Sequence, residues 1–172
     1  MQPIFLIGFM GAGKTTVGCL LSDLLCMQFA DTDLFIEEKL GMPVAEIFHK
    51  KGNSFFRKTE KKVLQQLCEY QNIVIATGGG TPCNIANMEL IKHCGTSFYI
   101  QWNDEALLKR LLLDGVEKRP LLAEKNDLQL TDYIHRELEN RKIFYEQADY
   151  TVSGKNDEII AKKIKGLLYQ AL

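Results

Sequence analysis

The sequence predicts an open α/β fold, in which helices cover both faces of a parallel sheet. Short apolar segments alternate along the chain with longer segments that carry apolar residues at helical spacing. The apolar segments mostly lack a regular polar alternation, which is typical of strands buried on both faces. The chain has 172 residues, of which 46% are hydrophobic, so its size and composition fit one domain with a substantial core.

Five apolar or β-branched segments are predicted as strands. They are residues 3–7, 28–30, 73–76, 97–101 and 150–152. Three stripes at helical spacing lie between or after them: Val17, Leu20, Leu21, Leu24 and Leu25; Val63, Leu64, Leu67 and Cys68; Ile159, Ile160, Ile164, Leu167 and Leu168. Crossovers between parallel strands are right-handed, and ligands of such folds bind at the carboxyl ends of the strands. We therefore expect the functional motifs at that edge of the sheet.

The overall charge excludes broad classes of partner. Lysine and arginine number 21 against 22 acidic residues, which gives a net charge of -1. This balance offers no electrostatic reason to expect binding to nucleic acid or to a membrane surface. The five cysteines include no CxxC pair, which argues for reduced thiols rather than a disulfide framework or a zinc site. A cytoplasmic, monomeric protein is the expectation.

The first strand is followed by a phosphate-binding motif. The sequence GFMGAGKT, residues 8–15, matches G-x-x-x-x-G-K-[ST] between a predicted strand and a predicted helix. In such a loop the backbone amides surround phosphate oxygens, Lys14 reaches the β- and γ-phosphates, and Thr15 offers a hydroxyl group to Mg²⁺. The predicted nucleotide-binding residues are Gly11, Ala12, Gly13, Lys14, Thr15 and Thr16. The motif predicts ATP or GTP as a ligand but does not separate a kinase from a nucleotide switch or a motor.

Two carboxylates follow the second predicted strand. Asp31 and Asp33 leave the strand two positions apart, so that one can support Mg²⁺ while the other meets a substrate hydroxyl group. The alternative is ordinary capping of the next helix by Thr32 or Asp33. The phosphate-binding motif upstream favours the functional interpretation, because a phosphoryl acceptor must be held in line with the γ-phosphate.

Three consecutive glycines follow the third predicted strand. The sequence TGGGTP, residues 77–82, places Gly78, Gly79 and Gly80 at the ligand edge, where backbone without side chains can lie against an acceptor and offer N–H donors. A flexible turn is the alternative. Pro82 suits the first turn of a following helix.

Taken together, these motifs resemble those of the shikimate kinase family over essentially the whole chain. The segments GFMGAGKT, DTD, GNSFFRKTE, TGGGT, KRPLL and RKIFYEQAD occur in that family's order. The resemblance implies a three-layer α/β/α P-loop NTPase fold with a five-stranded parallel sheet, similar to that of nucleoside monophosphate kinases. It also implies transfer of the ATP γ-phosphate to the 3-hydroxyl group of shikimate, with Mg²⁺, in the pathway to chorismate and aromatic amino acids.

The resemblance assigns roles to individual residues. It implies that Asp33 binds the acceptor hydroxyls and that Arg57 and Arg141 bind the acid group, since arginine makes forked contacts with carboxylates. Glu60, one helical turn after Arg57, is expected to orient it. The glycines 78–80 complete the acceptor site. Lys14, Asp33 and Arg119 are the expected catalytic residues, and Thr15 and Asp31 are the expected metal site.

The resemblance also implies a mobile lid over approximately residues 111–125 of a single domain, residues 1–172. Arg119 is expected to reach the phosphates from this lid, Arg110 to stack on adenine, and residues 151–157 to surround the base. Two positions depart from the family pattern. Asn53 replaces a glutamate, and Ile143 replaces a proline near Arg141.

Two rival functions remain open on the sequence alone. A kinase of another small polyol or hydroxy acid, such as gluconate, would turn over with that acceptor and not with shikimate. A nucleotide-dependent switch would hydrolyse nucleotide slowly without any acceptor and would present a partner surface.

Overall fold

The computed structural model describes residues 1–115, 122 and 126–170. Its five strands are β1 (Ile4–Ile7), β2 (Gln28–Asp31), β3 (Ile73–Ala76), β4 (Thr96–Ile100) and β5 (Tyr150–Val152). Its α-helices are α1 (Lys14–Leu25), α2 (Thr32–Leu40), α3 (Val44–Leu67), α4 (Ile85–Cys94), α5 (Asp104–Asp114), α6 (Asp127–Tyr145) and α7 (Asp157–Gln170). A short 3₁₀ helix, Thr81–Cys83, precedes α4. All five predicted strands are present, with ends that differ by at most one residue.

The strands form one parallel sheet in the order β2-β3-β1-β4-β5, with helices on both sides. The predicted three-layer fold is therefore confirmed. Every residue of β1 and β3 is buried, which explains why neither strand shows a polar alternation.

The order of the strands positions the site. The chain passes from β1 to β2 on one side of the sheet and from β3 to β4 on the other, so the connections that leave β1 and β3 diverge. A crevice at such a switch point is the usual ligand site of an open α/β sheet. The register pairs Asp31 with Ala76, which places the segment after β2 beside the segment after β3.

The helical stripes are buried in part. Val17 and Leu21 of α1 are fully buried, whereas Leu24 is 37% exposed on the far side of the helix. In α7 the buried side is formed by Ile160 and Ile164, while α1 and α7 pack against each other. The burial of these apolar stripes, rather than helix propensity alone, stabilises helices of this length.

Helix α3 contains a kink that bears on one departure from the family pattern. Gly52 interrupts the helix with φ 78° and ψ 169°, a conformation that glycine adopts without strain. Asn53 directly follows the kink. Its side chain makes no capping hydrogen bond to the described residues, so Asn53 does not cap the second half of the helix.

Candidate active site

The loop between β1 and α1 has the form of a phosphate cradle. Gly8, Gly11 and Gly13 all have positive φ values, of 146°, 79° and 85°. A Cβ atom at Gly8 would lie 2.8 Å from the carbonyl oxygen of Ile100, so glycine is required there by space as well as by backbone conformation. Helix α1 begins at Lys14 and points its amino terminus into the loop.

Lys14 is buried within this loop. Its Nζ atom donates hydrogen bonds to the carbonyl oxygens of Gly8 at 3.0 Å and Phe9 at 2.9 Å. The ammonium group therefore lies inside the curve of the backbone, where an anion held by the loop amides would meet it.

The segment Asp31–Asp33, here called the carboxylate turn, lies directly beside the loop. One oxygen of Asp31 accepts a hydrogen bond from the hydroxyl group of Thr15 at 2.7 Å. Its other oxygen accepts from the backbone amide of Asp33 at 2.9 Å and caps α2. Asp31 therefore both caps α2 and contacts the phosphate loop. The alternative in which Thr32 or Asp33 caps this helix is excluded, because Asp31 is the cap.

Asp33 has an unusual carboxyl group. Its pKa is raised from 3.8 to about 6, chiefly by burial and next by the charge of Asp31, while the ammonium group of Lys14 partly opposes both effects. A carboxylate with a pKa close to neutral is suited to accept a proton from a hydroxyl group and to release it again.

The three glycines 78–80, here called the glycine turn, lie against the predicted acceptor-site side chains. A Cβ atom at Gly78 would be 2.7 Å from Oδ1 of Asp33, and one at Gly80 would be 2.9 Å from Nη2 of Arg57. At Gly79 it would be 3.8 Å from Nη1 of Arg141. The absence of side chains at Gly78 and Gly80 therefore leaves space for the carboxylate of Asp33 and the guanidinium group of Arg57, whereas a Cβ atom at Gly79 would only be in ordinary contact with Arg141. The structure brings together all three predicted acceptor-binding side chains.

One expected contact of the glycine turn is not available. The amide of Gly78 donates to Oγ1 of Thr32 at 2.8 Å, so it is already used and does not serve as a donor to an acceptor molecule. The amide of Gly78 is therefore not among the N–H donors that the glycine turn could offer to an acceptor. The amides of Gly79 and Gly80 have no hydrogen-bond partner among the described residues.

A buried carboxylate orients Arg57. Nη1 of Arg57 donates to both oxygens of Glu60, at 2.9 and 2.8 Å, and Glu60 is 1% exposed. Thr81, at the end of the glycine turn, donates its hydroxyl hydrogen to Glu60 at 2.7 Å. Asn87 then donates to the carbonyl oxygen of Thr81 at 3.0 Å. Glu60 is therefore a buried anchor rather than half of a solvated ion pair.

Arg141 is held by contacts on several sides. Its Nη2 atom donates to Glu137 at 2.7 Å, and its guanidinium carbon lies 5.4 Å from the centre of the Phe9 ring. Burial alone would lower the pKa of Arg141, but the adjacent phenol of Tyr145 and the carboxylate of Glu137 outweigh this and raise the pKa. Arg141 therefore remains a cation at the edge of the glycine turn.

Arg110 contacts the phosphate loop directly. It donates to the carbonyl oxygen of Gly11 at 2.8 Å and to both oxygens of Asp157, at 2.8 and 2.9 Å. Its guanidinium group also lies 4.8 Å from the ring of Trp102, which itself donates to the carbonyl oxygen of Ala12 at 3.0 Å. Arg110 therefore stabilises the phosphate loop and binds Asp157, the last residue of the predicted base-binding segment.

Several side chains that support the candidate site were not predicted from the sequence. Thr32, Thr81 and Tyr145 act through hydroxyl groups that contact the glycine turn or its anchor, and Trp102 and Asp157 support the phosphate loop. None carries a spacing pattern of its own. Thr32, Thr81 and Tyr145 lie in the segments DTD, TGGGT and RKIFYEQAD, and Asp157 lies in the segment 151–157, so the motifs indicated the neighbourhood but not these side chains.

The predicted lid lies mostly outside the described residues. Residues 111–114 form the last turn of α5, and Leu111 packs against Gly11, where an added Cβ atom would lie 2.8 Å from its side chain. Arg119 is not among the described residues.

The fold and this site define a class of protein. A parallel sheet whose switch point carries a phosphate loop, with two arginines and a carboxylate facing a common turn, is that of a P-loop kinase. The family model described as shikimate kinase matches residues 10–169. The chain therefore belongs to the shikimate kinase family.

Individual relatives agree with that assignment. A shikimate kinase of Phocaeicola vulgatus is 40% identical over 163 residues, which cover 95% of this chain and 91% of the relative. The crystal structure of shikimate kinase from Bacteroides thetaiotaomicron superposes with a TM-score of 0.92 at 36% identity and covers 98% of both chains. The structure of Acinetobacter baumannii shikimate kinase in complex with shikimate has a TM-score of 0.89 at 37% identity, covering 99% of this chain and 94% of that one.

Proposed function

We propose that this protein transfers the γ-phosphoryl group of ATP to the 3-hydroxyl group of shikimate, giving shikimate 3-phosphate and ADP. The observation that carries the proposal is the convergence of Asp33, Arg57 and Arg141 on the glycine turn, beside the phosphate loop. Two guanidinium groups match a ring carboxylate, and one carboxylate matches ring hydroxyls. The solved relative in complex with shikimate supports this acceptor over gluconate.

The acceptor is held by opposite charges at its two ends. Arg57 and Arg141 bind the acid group, and Asp33 accepts a hydrogen bond from the attacking hydroxyl group. During transfer the hydroxyl oxygen forms a bond to the γ-phosphorus, and the bond from that phosphorus to the β,γ-bridging oxygen breaks. The hydroxyl proton passes to Asp33, whose pKa of about 6 suits a late acceptance of that proton. ADP leaves with the bridging oxygen.

The nucleotide is held by the phosphate loop. We expect the backbone amides of Gly11 and Gly13 and the first turn of α1 at Thr16 to face the phosphates, whereas the amide of Ala12 already donates to the carbonyl oxygen of Phe9 at 3.2 Å. Lys14 stabilises the charge that develops on the γ-phosphoryl group. Arg110 contributes to the base side of this site. Arg119 lies outside the described residues, and we propose for it the contact with the transferring phosphoryl group that the family resemblance implies.

The residues near the phosphate loop fit Mg²⁺. The hydroxyl group of Thr15 and a carboxylate oxygen of Asp31 lie 2.7 Å apart, and both are the hard oxygen ligands that this ion prefers. Within residues 1–115, 122 and 126–170, no group of three or more His, Cys, Asp or Glu side chains could hold a metal ion, so phosphate and water oxygens would complete the coordination. When bound, Mg²⁺ neutralises charge on the phosphates.

The proposal also covers the protein's location in the cell and its oligomeric state. None of the described helices is long and apolar enough to cross a membrane. We propose a cytoplasmic monomer that binds small molecules; the balanced net charge of -1 supports only the expectation that nucleic acids and membrane surfaces are not general partners.

The function is tested by measuring ADP release with ATP and Mg²⁺ in the presence of shikimate, gluconate or a nucleoside monophosphate. We expect release that depends on shikimate, with stoichiometric formation of shikimate 3-phosphate. Release that depends on gluconate alone would favour another small-acid kinase. Slow release that is the same with and without every acceptor would favour a nucleotide switch.

A further inference from the structure

Two buried hydroxyl groups hold the glycine turn from different parts of the chain. Thr32 is fully buried, and its Oγ1 atom accepts the hydrogen bond from the amide of Gly78 at 2.8 Å. Tyr145 is also fully buried, and its hydroxyl group donates to the carbonyl oxygen of Gly79 at 2.7 Å. Two successive residues of the turn are thus each fixed by one side chain that is remote in sequence.

Each of these hydroxyl groups belongs to the same element as an acceptor-binding side chain. Thr32 lies between Asp31 and Asp33 in the carboxylate turn. Tyr145 lies one helical turn after Arg141 in α6, with its phenol beside the guanidinium group. The glycine turn therefore connects the element that carries Asp33 to the element that carries Arg141.

The spacing around the turn makes this connection sensitive to small displacements. Oδ1 of Asp33 lies 2.7 Å from where a Cβ atom of Gly78 would be, and Nη1 of Arg141 lies 3.8 Å from the corresponding point at Gly79. A shift of the turn by a few tenths of an ångström would alter the space beside both groups. A weaker contact, from the thiol of Cys83 to the carbonyl oxygen of Gly79 at 3.8 Å, does not replace the short phenol bond.

We propose that Thr32 and Tyr145 are positioning residues, which fix the distance between Asp33 and Arg141 by tying both of their elements to the glycine turn. The acceptor then binds in one register, with its hydroxyl group at Asp33 and its acid group at Arg141. The identity of that acceptor as shikimate rests on the proposed function. The positioning role, here called the tie, rests on the hydrogen bonds that join Thr32 and Tyr145 to the glycine turn and on the burial of both hydroxyl groups.

The kinetic test uses Thr32→Val, Tyr145→Phe and the double variant. Each single variant should raise the KM for shikimate about three- to tenfold, the effect of losing one ordinary hydrogen bond, and should leave the KM for ATP within about twofold. Because both hydroxyl groups act on one turn, the double variant should fall short of the product of the two single effects. A merely structural role would instead lower the thermal stability and leave the KM for shikimate unchanged, which would overturn the proposal.

Two matched variants separate positioning from packing. Thr32→Ser keeps the hydroxyl group and should restore a KM for shikimate close to that of the wild type. Tyr99→Phe removes a hydroxyl group from a buried ring 5.2 Å from that of Tyr145, but one with no hydrogen bond to the glycine turn, and should leave the KM unchanged. A Thr32→Ser variant as impaired as Thr32→Val, or an equal rise in KM with Tyr99→Phe, would contradict the proposed tie.

Hydrogen exchange at Gly78 tests the two hydrogen bonds without any acceptor. The Gly78 amide, which donates to Thr32, should exchange about tenfold faster in Thr32→Val and Tyr145→Phe than in the wild type or Tyr99→Phe. Unchanged exchange would overturn the positioning role. A wild-type protein that does not phosphorylate shikimate would overturn only the proposed function, and the exchange rates would still decide whether the two hydroxyl groups hold the turn.

Discussion

The phosphate side and the acceptor side of the active site are built in different ways. The phosphate loop is one continuous segment, residues 8–15, and Lys14 binds carbonyl oxygens within that same segment. The acceptor side gathers Asp33, Arg57 and Arg141 from three helices around the glycine turn. Its connections are made by side chains that are far apart in sequence.

Because of this difference, we expect the two sides to recognise different features of their ligands. The phosphate loop offers backbone amides and one ammonium group, which suit any nucleoside triphosphate. The acceptor side offers charged groups at fixed separations, and such an arrangement selects one molecular shape as well as one charge. Substitutions on the two sides should therefore affect different kinetic parameters.

The largest effect is expected on the phosphate side. Lys14→Ala removes the ammonium group from the developing charge on the γ-phosphoryl group, and turnover should fall by about a thousandfold. Shikimate affinity, measured by calorimetry, should change little because Lys14 is not one of its proposed ligands. A large loss of shikimate affinity in this variant would show that the two sides are not separable.

The next effect is expected at the more buried acceptor arginine. The side chain of Arg141 is 18% exposed, so Arg141→Ala removes a desolvated charge, and the KM for shikimate should rise about a hundredfold. Arg136→Ala, at an exposed position of the same helix, is the control and should leave this KM unchanged. Equal effects of the two variants would mean that helix charge alone attracts the acceptor.

A smaller effect is expected at Arg57, whose side chain is 44% exposed. Arg57→Lys keeps a positive charge beside the buried Glu60 but loses the forked geometry, and the KM for shikimate should rise about tenfold. Lys58→Ala, an exposed neighbour, is the control. A KM that is unchanged in Arg57→Lys would reduce the role of Arg57 to that of a point charge.

The pH dependence of kcat/KM tests the role of Asp33, which lies between the phosphate side and the acceptor side. In the proposed mechanism Asp33 must be ionised to accept the hydroxyl proton, and its pKa is about 6. The value of kcat/KM for shikimate should therefore fall below about pH 6, by up to tenfold per pH unit. A profile that stays flat well below that pH would remove Asp33 from proton transfer.

The smallest effect is on stability. The folded pKa of Asp33 is raised above its ordinary value of 3.8, so its contribution to stability is fully present below that value and is lost as the pH rises through about 6. Asp33→Asn should therefore be more stable than the wild type near neutral pH, by about 1–3 kcal/mol in the free energy of unfolding. Chemical denaturation should show the difference disappear below about pH 4. A variant that is less stable at neutral pH would mean that Asp33 also stabilises the fold.

Prediction from the sequence succeeded where information is local. The five strands were found within one residue of their ends, because each contains a short apolar or β-branched run that is recognised without knowledge of its neighbours. Prediction was weaker where several partners compete for one group. Asp31 proved to be the cap of α2, and the amide of Gly78 proved to be bound to Thr32, since hydrogen-bond choice depends on which groups the fold brings within reach.

The sequence by itself determined the parallel α/β fold through its periodicity and the phosphate loop through a contiguous motif, whereas the residues of the acceptor site were implied by the resemblance of several motifs to one family. Only the tertiary structure decided how Arg57 and Arg141 face the same turn, and that the buried hydroxyl groups of Thr32 and Tyr145 hold it. The physical reason is that a buried donor or acceptor must find its partner in space, and no spacing along the chain specifies which partner that will be.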